Sequence, residues 1–272
     1  MSRLAEWPVV APGEAFDAVA DSYDEIFTRS VIGRAQRRLV WRVLADTFRV
    51  GDRILELNCG TGEDALFLGK QGMSVDACDG SARMIDVARK RKASEGPTLP
   101  IQFRRLSTED LGVFRPSLPF DGVLSNFSGL NCVRDLDRVA SELSILIRRG
   151  GKLVLCLYNR VCAWELIWFG LGGRFSKASR RLRGSAVGHL GSSSIRVWYP
   201  GVRQVKRAFS PWFQLLSVRA VGLFVPPSYI EFWAREHTGI ISQLETVDWA
   251  VGHWPVLRGL GDHVLLQFGK VD

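Results

Sequence analysis

The chain has 272 residues, of which 46% are hydrophobic and 24% charged, a composition that excludes disorder or a fibrous architecture for the whole. No uncharged stretch approaches the roughly 18 apolar residues of a membrane-spanning helix, and the opening MSRLAEWPVVAPGEAF lacks the basic-then-apolar layout of a secretory leader. The net charge of +8 is concentrated: between Leu166 and Ile230 there are ten Lys and Arg and no Asp or Glu, so an anionic partner is expected to face that segment.

In chain order, Ala15 to Phe27 and Ser30 to Phe48 read as cap helices, the second with Val31, Ala35, Leu39, Val43 and Leu44 on one face. From Arg53 to Tyr158, short apolar runs alternate with amphipathic stretches, the pattern of a doubly wound, mostly parallel sheet. Five strands are predicted at 53–58, 74–78, 101–105, 121–126 and 152–158, with helices near 62–71, 82–93 and 135–148. Beyond Tyr158 come a Trp-rich run, the basic stretch, a Gly/Ser-rich loop (GHLGSSS), a strand at 211–224, helices over 228–251 and a last strand at 263–271. This predicts one domain: cap helices to 50, a cofactor-binding core at 51–158, a helical lid and acceptor-binding region inserted at 159–262, and the last strand at 263–272. The five cysteines form no C-x-x-C pair and the four histidines no ligating spacing, so neither disulfides nor a metal are expected, and the compartment is expected to be reducing and cytoplasmic.

ILELNCGTGEDALFL (54–68) sets Glu56 near the end of the first strand and Gly60 and Gly62 in the turn entering a helix, where a ligand can approach backbone N–H groups. Seventeen residues after Gly62, Asp79 closes the second strand, where a carboxylate can accept from two ribose hydroxyls. Gly60, Gly62 and Ala65 also satisfy the dinucleotide fingerprint. Glu56, Glu63 and Asp64 crowd that turn, however, and like charges 4 Å apart repel by about 4 kcal/mol at an effective dielectric of 20. An acidic mouth suits a cationic ligand.

These residues resemble the class I S-adenosylmethionine-dependent methyltransferases, whose cofactor carries an ammonium and a sulfonium on a nucleoside. ELNCGTG (56–62) resembles the family's E-x-x-C-G-x-G loop, which implies Glu56, Cys59 and the backbone of Asn58, Gly60 and Gly62 around the methionine moiety. CDGSARM (78–84) is similar to its second motif, with Asp79 and Gly80 at the ribose and Met84 on adenine. STEDL (107–111) offers Glu109 and Asp110 to the adenine amino group. FDGVLSNF (120–127) resembles the fourth strand, ending beneath the cofactor at Ser125, Asn126 and Phe127; IRRGGKLVL (147–155) resembles the turn before the fifth. AFDAVADSYDEIF (15–27) is similar to the opening helix of small-molecule members, with Tyr23 over the cofactor and Arg34, just beyond, toward its carboxylate. The resemblance implies a Rossmann-like class I methyltransferase fold and methyl transfer to a small-molecule or lipid-like acceptor, with oxygen the expected atom and nitrogen and carbon left open.

Residues 159–272 match no acceptor-defining motif. The acceptor-side candidates are Asn131, where some members of the family carry His, and Tyr158, Trp164, Trp168 and Tyr199; Tyr158, Tyr199 and His189 are the candidates for a base, and no residue is assigned as catalytic. Trp164, Ile167, Trp168 and Leu171 share one helical face and precede Arg174, Lys177, Arg180, Arg181 and Arg183. A helix here would be apolar first and basic afterwards, fit for an anionic membrane surface through residues 161–183 or for an amphiphilic acceptor. Nucleic acid is disfavoured, because S-N-F at 125–127 departs from the N/D-P-P-Y/F signature. The alternatives are an NAD-dependent oxidoreductase and a non-catalytic cofactor-binding scaffold.

Overall fold

The computed structural model describes residues 8–271. In chain order it forms α1 (Pro12–Asp17), α2 (Ala20–Tyr23), a π-helical turn (Asp24–Thr28), α3 (Val31–Thr47), β1 (Arg53–Leu57), α4 (Glu63–Lys70), β2 (Ser74–Asp79), α5 (Ala82–Glu95) and β3 (Ile101–Arg105). Next come β4 (Phe120–Ser125), α6 (Leu136–Leu146), β5 (Ile147–Tyr158), α7 (Ala163–Leu171), α8 (Phe175–Ala178), β6 (Ser185–Leu190), β7 (Ser193–Trp198) and α9 (Val202–Phe209). β8 (Phe213–Val221), α10 (Glu231–Glu236), α11 (Thr238–Val251) and β9 (His263–Lys270) complete the chain.

Seven strands form one sheet in the order β3-β2-β1-β4-β5-β9-β8. β3 through β5 pair in parallel, and β9 runs antiparallel to both of its neighbours. The predicted doubly wound sheet is the observed one. Both faces are covered, which is why the strands are apolar at successive positions. Leu55, Leu57, Val123, Leu153 and Leu266 pack under α6 and α9, while Ile54, Val75, Leu124, Val154 and Leu265 pack under α3, α4 and α5. Each such side chain contributes about 1.5–3 kcal/mol on burial. Side-chain caps start the helices where the sequence turns: Ser30 accepts from the Gly33 N–H, Ser81 from Met84 and Asp135 from Arg138.

The C-terminal half departs from expectation in two places. GHLGSSS is the centre of an antiparallel hairpin, β6–β7, rather than a loop; its alternating Ile195, Val197 and Tyr199 pack on Ala15 of α1. The expected continuous helix through 164–183 breaks after Leu171, where Gly173 takes a positive φ of 67° and the chain restarts as α8. Among the described residues, no helix is long and apolar enough to cross a membrane.

α11 is fastened to the sheet by one buried carboxylate. Asp248 accepts the backbone N–H groups of Leu223, Phe224 and Val225 at 3.1, 2.7 and 3.2 Å, and burial pushes its carboxyl up to about 6. Asp248→Ala strands those three donors and is expected to lose about 2–4 kcal/mol in urea unfolding, with Asp248→Asn losing less because one acceptor oxygen remains.

Candidate functional site

β1, β2, β4 and β5 end, and β9 begins, at one edge of the sheet. β1 pairs with β2 on one side and β4 on the other, so the chain order reverses there and a crevice opens between the β1 and β4 loops. The loop leaving β1 takes positive φ at Asn58, Gly60 and Gly62 (55°, 53° and 80°). Gly62 is required twice over: besides its φ, a Cβ there would fall 2.8 Å from the Phe103 ring and 2.9 Å from Ala88. Asn58 spans the crevice, donating to Thr108 Oγ1 (3.0 Å) and accepting from Ser125 Oγ (3.2 Å).

Asp79 faces this loop from β2. One carboxylate oxygen accepts the Gly60 N–H at 2.9 Å and the other the Ser81 N–H at 2.8 Å, leaving lone pairs on both. Burial raises its pKa, and the two amides oppose that rise. Gly80 lies under the start of α1, where a Cβ on Gly13 would meet its carbonyl at 2.6 Å, and Met84 is fully buried behind it. Asp17 of α1 accepts from the Ser81 hydroxyl at 2.6 Å, drawing the N-terminal helices over the crevice.

Glu56 is buried, and its Oε2 has no hydrogen-bond partner. Burial, then repulsion from Asp64, holds its carboxyl well above the ordinary range. Asp64 itself is saturated: Arg37 Nη1 at 2.6 Å, Trp41 Nε1 at 2.6 Å and Asn126 Nδ2 at 2.9 Å all donate to it. Glu63 and Asp24 share Arg91, and Asp24 also accepts from the Thr61 hydroxyl at 2.7 Å. The acidic mouth inferred from the sequence is thus partly neutralised from within, with five carboxyl groups (Asp24, Glu56, Glu63, Asp64, Asp79) around two guanidiniums. Cys59 is buried, and burial raises its thiol pKa well above the ordinary value, so it is no thiolate.

Arg34 is exposed, and the guanidinium that reaches the crevice is that of Arg37, three residues on. Arg37 lies 4.8 Å from the Phe127 ring centroid and 5.8 Å from that of Phe27, and its buried Nε is unpartnered. The helical period contained this signal, since Arg37 shares the face of Gly33, Val40 and Leu44, all buried. Tyr23 packs between Phe16 and Phe27 at 6.4 and 5.8 Å, and burial pushes its hydroxyl up to about 12. Glu109 and Asp110 are exposed on a 3-10 turn, Asp110 accepting from Ser107 at 2.7 Å; Thr108 and Glu109 border a groove of about 260 Å³ closed by Cys132, Arg138 and Trp198.

At the β4, β5 and β9 end of the same edge, Phe127 meets His263 edge-on at 5.4 Å, Tyr158 stacks on His263 at 4.7 Å, and Tyr199 follows at 6.1 Å. Asn131 is committed elsewhere: its amide donates to the Trp198 carbonyl at 2.6 Å and accepts from the Tyr158 N–H at 2.9 Å, so it orients Tyr158. Trp164 packs with Ile32, Val225 and Ile230, and Trp168 is half exposed near Tyr229, so neither joins Tyr158 and Tyr199. His189 pairs with Ser194 inside the hairpin at 2.9 Å. His263, which no motif in the sequence singles out, stands in this aromatic cluster.

These groups fit a cationic nucleoside: an orphaned buried carboxyl, a ribose-type aspartate and aromatic faces. Residues 54–151 match a family described as a methyltransferase domain. A demethylmenaquinone methyltransferase of Clavibacter sepedonicus is 34% identical over 155 residues, 54% of this chain and 59% of that protein. A tRNA 5-carboxymethoxyuridine methyltransferase of Escherichia coli is 29% identical over 148 residues, 53% of this chain and 56% of that protein. The chain thus matches less than two thirds of the length of these relatives. Among solved structures, the CcbJ methyltransferase from Streptomyces caelestis superposes with a TM-score of 0.62 at 14% identity, covering 95% of this chain and 98% of that one.

The orphaned Glu56 carboxyl should cost stability when nothing cationic faces it. Its pKa is raised on folding, so the folded state loses stability as pH rises from the ordinary carboxyl range toward that raised value. Glu56→Gln is expected to remove this slope and, in ligand-free protein at pH 7.5, to raise the melting temperature by about 3 °C. Thermal melts from pH 5 to 8 check both, and a lower melting point in the variant would refute the account.

Proposed function

We propose that this chain, a member of the class I S-adenosylmethionine-dependent methyltransferases by its core at residues 54–151, transfers a methyl group to a small, lipid-like, hydroxyl-bearing acceptor of the quinol type. The observation that carries the reading is the orphaned Glu56 carboxyl facing, across the glycine turn, an Asp79 with lone pairs to spare. When bound, S-adenosylmethionine supplies an activated methyl group on a sulfonium.

The chain's own residues then bind, orient and exclude water. Asp79 and Gly80 take the ribose, and Glu56 with the backbone of Asn58, Cys59, Gly60 and Gly62 takes the ammonium. Arg37, through its free Nε, takes the carboxylate in place of the expected Arg34. Met84, Glu109 and Asp110 border the adenine. Tyr23, Phe127 and Asn126 enclose the sulfonium end, where ring faces favour a cation. Holding the two reactants in line in such an enclosure can lower the barrier by about 7–11 kcal/mol. A dinucleotide would set its pyrophosphate among these carboxyls, which argues against the oxidoreductase alternative. The scaffold alternative is separated by turnover.

Residues 159–262 serve as lid and acceptor region, and the matched quinone-modifying relative supports an apolar, membrane-borne acceptor. Ile167, Trp168, Leu171 and Phe175 are 58, 45, 87 and 71% exposed, beside Arg174, Lys177 and Arg183, which make no ion pair among the described residues. Arg181 is withdrawn from that surface by Glu165 and Asp262, and Arg180, its side chain still 43% exposed, is paired with Glu165. Apolar exposure with a thinned basic fringe suits an anionic bilayer better than RNA.

Calorimetric titration is expected to give micromolar binding of S-adenosylhomocysteine, no binding of NADH, and at least tenfold weaker S-adenosylhomocysteine binding in Asp79→Ala; binding of NADH alone would refute the cofactor reading. Co-sedimentation is expected to be stronger with phosphatidylglycerol-containing than with phosphatidylcholine vesicles and to be lost in Trp168→Ala/Leu171→Ala/Phe175→Ala. Equal sedimentation with both vesicles, or salt-sensitive retention of tRNA in their place, would overturn the membrane reading.

A further inference from the structure

We infer that His263 is the group that takes the acceptor's hydroxyl proton during methyl transfer, an assignment that rests on the methyltransferase reading above. His263 opens β9 at the same sheet edge as Asn58, Asp79 and Phe127, and its ring fills the space between Phe127, which follows β4, and Tyr158, which ends β5. It joins an aromatic wall running from Tyr23 through Phe27 and Phe127 to Tyr158 and Tyr199.

Burial, Asp262 and Arg181 set its protonation. The carboxylate of Asp262 lies 3.4 Å from Nδ1, which makes no hydrogen bond and is sealed from solvent. The proton of the neutral ring therefore belongs on Nδ1, facing that carboxylate, and the lone pair on Nε2. Arg181, from the turn after α8, donates to Asp262 Oδ1 at 2.6 Å and to Glu165 at 2.8 Å and lies 4.8 Å from the Tyr158 ring centroid. Burial, aided by Arg181 and opposed by Asp262, brings the imidazole down to about 4, so it is neutral and able to accept at pH 7. Tyr158 and Tyr199, both raised by burial, are not competing bases.

The step balances in atoms and charge. The acceptor oxygen gains the methyl group, its proton passes to Nε2, and S-adenosylmethionine becomes S-adenosylhomocysteine. One positive charge leaves the sulfur and one appears on the imidazole within the same aromatic enclosure. The enclosure therefore holds one positive charge before transfer and one after it, and the Asp262 carboxylate 3.4 Å from Nδ1 favours the second, so a weakly basic imidazole can still serve.

That exchange of charge is measurable without an acceptor. In protein carrying 13C at histidine Cε1, the protonated-to-neutral ratio of His263 at a fixed pH near 4.5 is expected to be about tenfold higher with S-adenosylhomocysteine bound than with S-adenosylmethionine, because the neutral thioether no longer repels the imidazolium. Exposed His253 provides the internal reference. Equal ratios in the two complexes overturn the assignment and leave the cofactor reading intact, whereas failure of both ligands to bind overturns the cofactor reading and the assignment with it. His263→Gln is expected to keep wild-type affinity for S-adenosylhomocysteine and to slow methyl transfer to a 1,4-naphthoquinol by about a hundredfold or more. Undiminished transfer by the variant refutes the role. If the wild type transfers nothing to the naphthoquinol, the acceptor class is wrong, and the resonance ratios decide His263.

Discussion

A carboxylate buried at the mouth of the sheet is the constraint on which the crevice beside the glycine loop depends. Asp64, in the first turn of α4, sits where a helix dipole favours negative charge, and it is removed from water by α3. An unpaired buried charge costs several kcal/mol, so the surroundings must supply donors, and three elements do. Arg37 and Trp41 come from α3, and Asn126 comes from the end of β4. The N-terminal helices, the glycine loop and the fourth strand are thereby locked in one register. Arg37 is also left close enough to the crevice to present its Nε. With Asp64 saturated, Glu56 is the carboxyl of this cluster left without a hydrogen-bond partner.

A second buried ion group does the same where β9 meets β5. Arg181 reaches from the segment after α8 to bridge Glu165 of α7 and Asp262 at the head of β9, and it donates to the carbonyls of Asp262 and Asn159 as well. Two carboxylates and two carbonyls accept from the two terminal nitrogens of one guanidinium, a geometry that suits arginine and would not suit lysine. This group pins the inserted segment to the carboxyl edge and sets the electrostatics of His263 and Tyr158. The same pairing removes charge from the surface, which is why the basic stretch presents fewer free cations than its composition promised.

The parts of the site that could be read from the chain are those carried by local backbone requirements. Gly60 and Gly62 are forced by positive φ, Asp79 by its place at a strand end, and the caps at Ser30, Ser81 and Asp135 by the orphaned N–H groups of the helices they start. Arg37 is legible from the 3.6-residue period, since it shares the buried face of Gly33, Val40 and Leu44, whereas Arg34 lies on the exposed face of the same helix. The β6–β7 hairpin was hidden because Gly, Ser and His dilute its alternation, and the strand pairing becomes favourable only once Ile195, Val197 and Tyr199 bury against α1.

The sequence by itself determined the doubly wound core, the switch-point crevice and the acidic character of its mouth, since these follow from hydrophobic period, turn chemistry and charge within about thirty residues of one another. Tertiary structure alone decided which charges remain unpaired there and which aromatic rings gather beside β5. Arg181 lies 81 residues from its Asp262 partner, Asn126 lies 62 from Asp64, and His263 meets Phe127 and Tyr158 only because β9 inserts beside β5. Pairing between buried groups depends on which strands and helices become neighbours, and no local pattern in the chain encodes that adjacency.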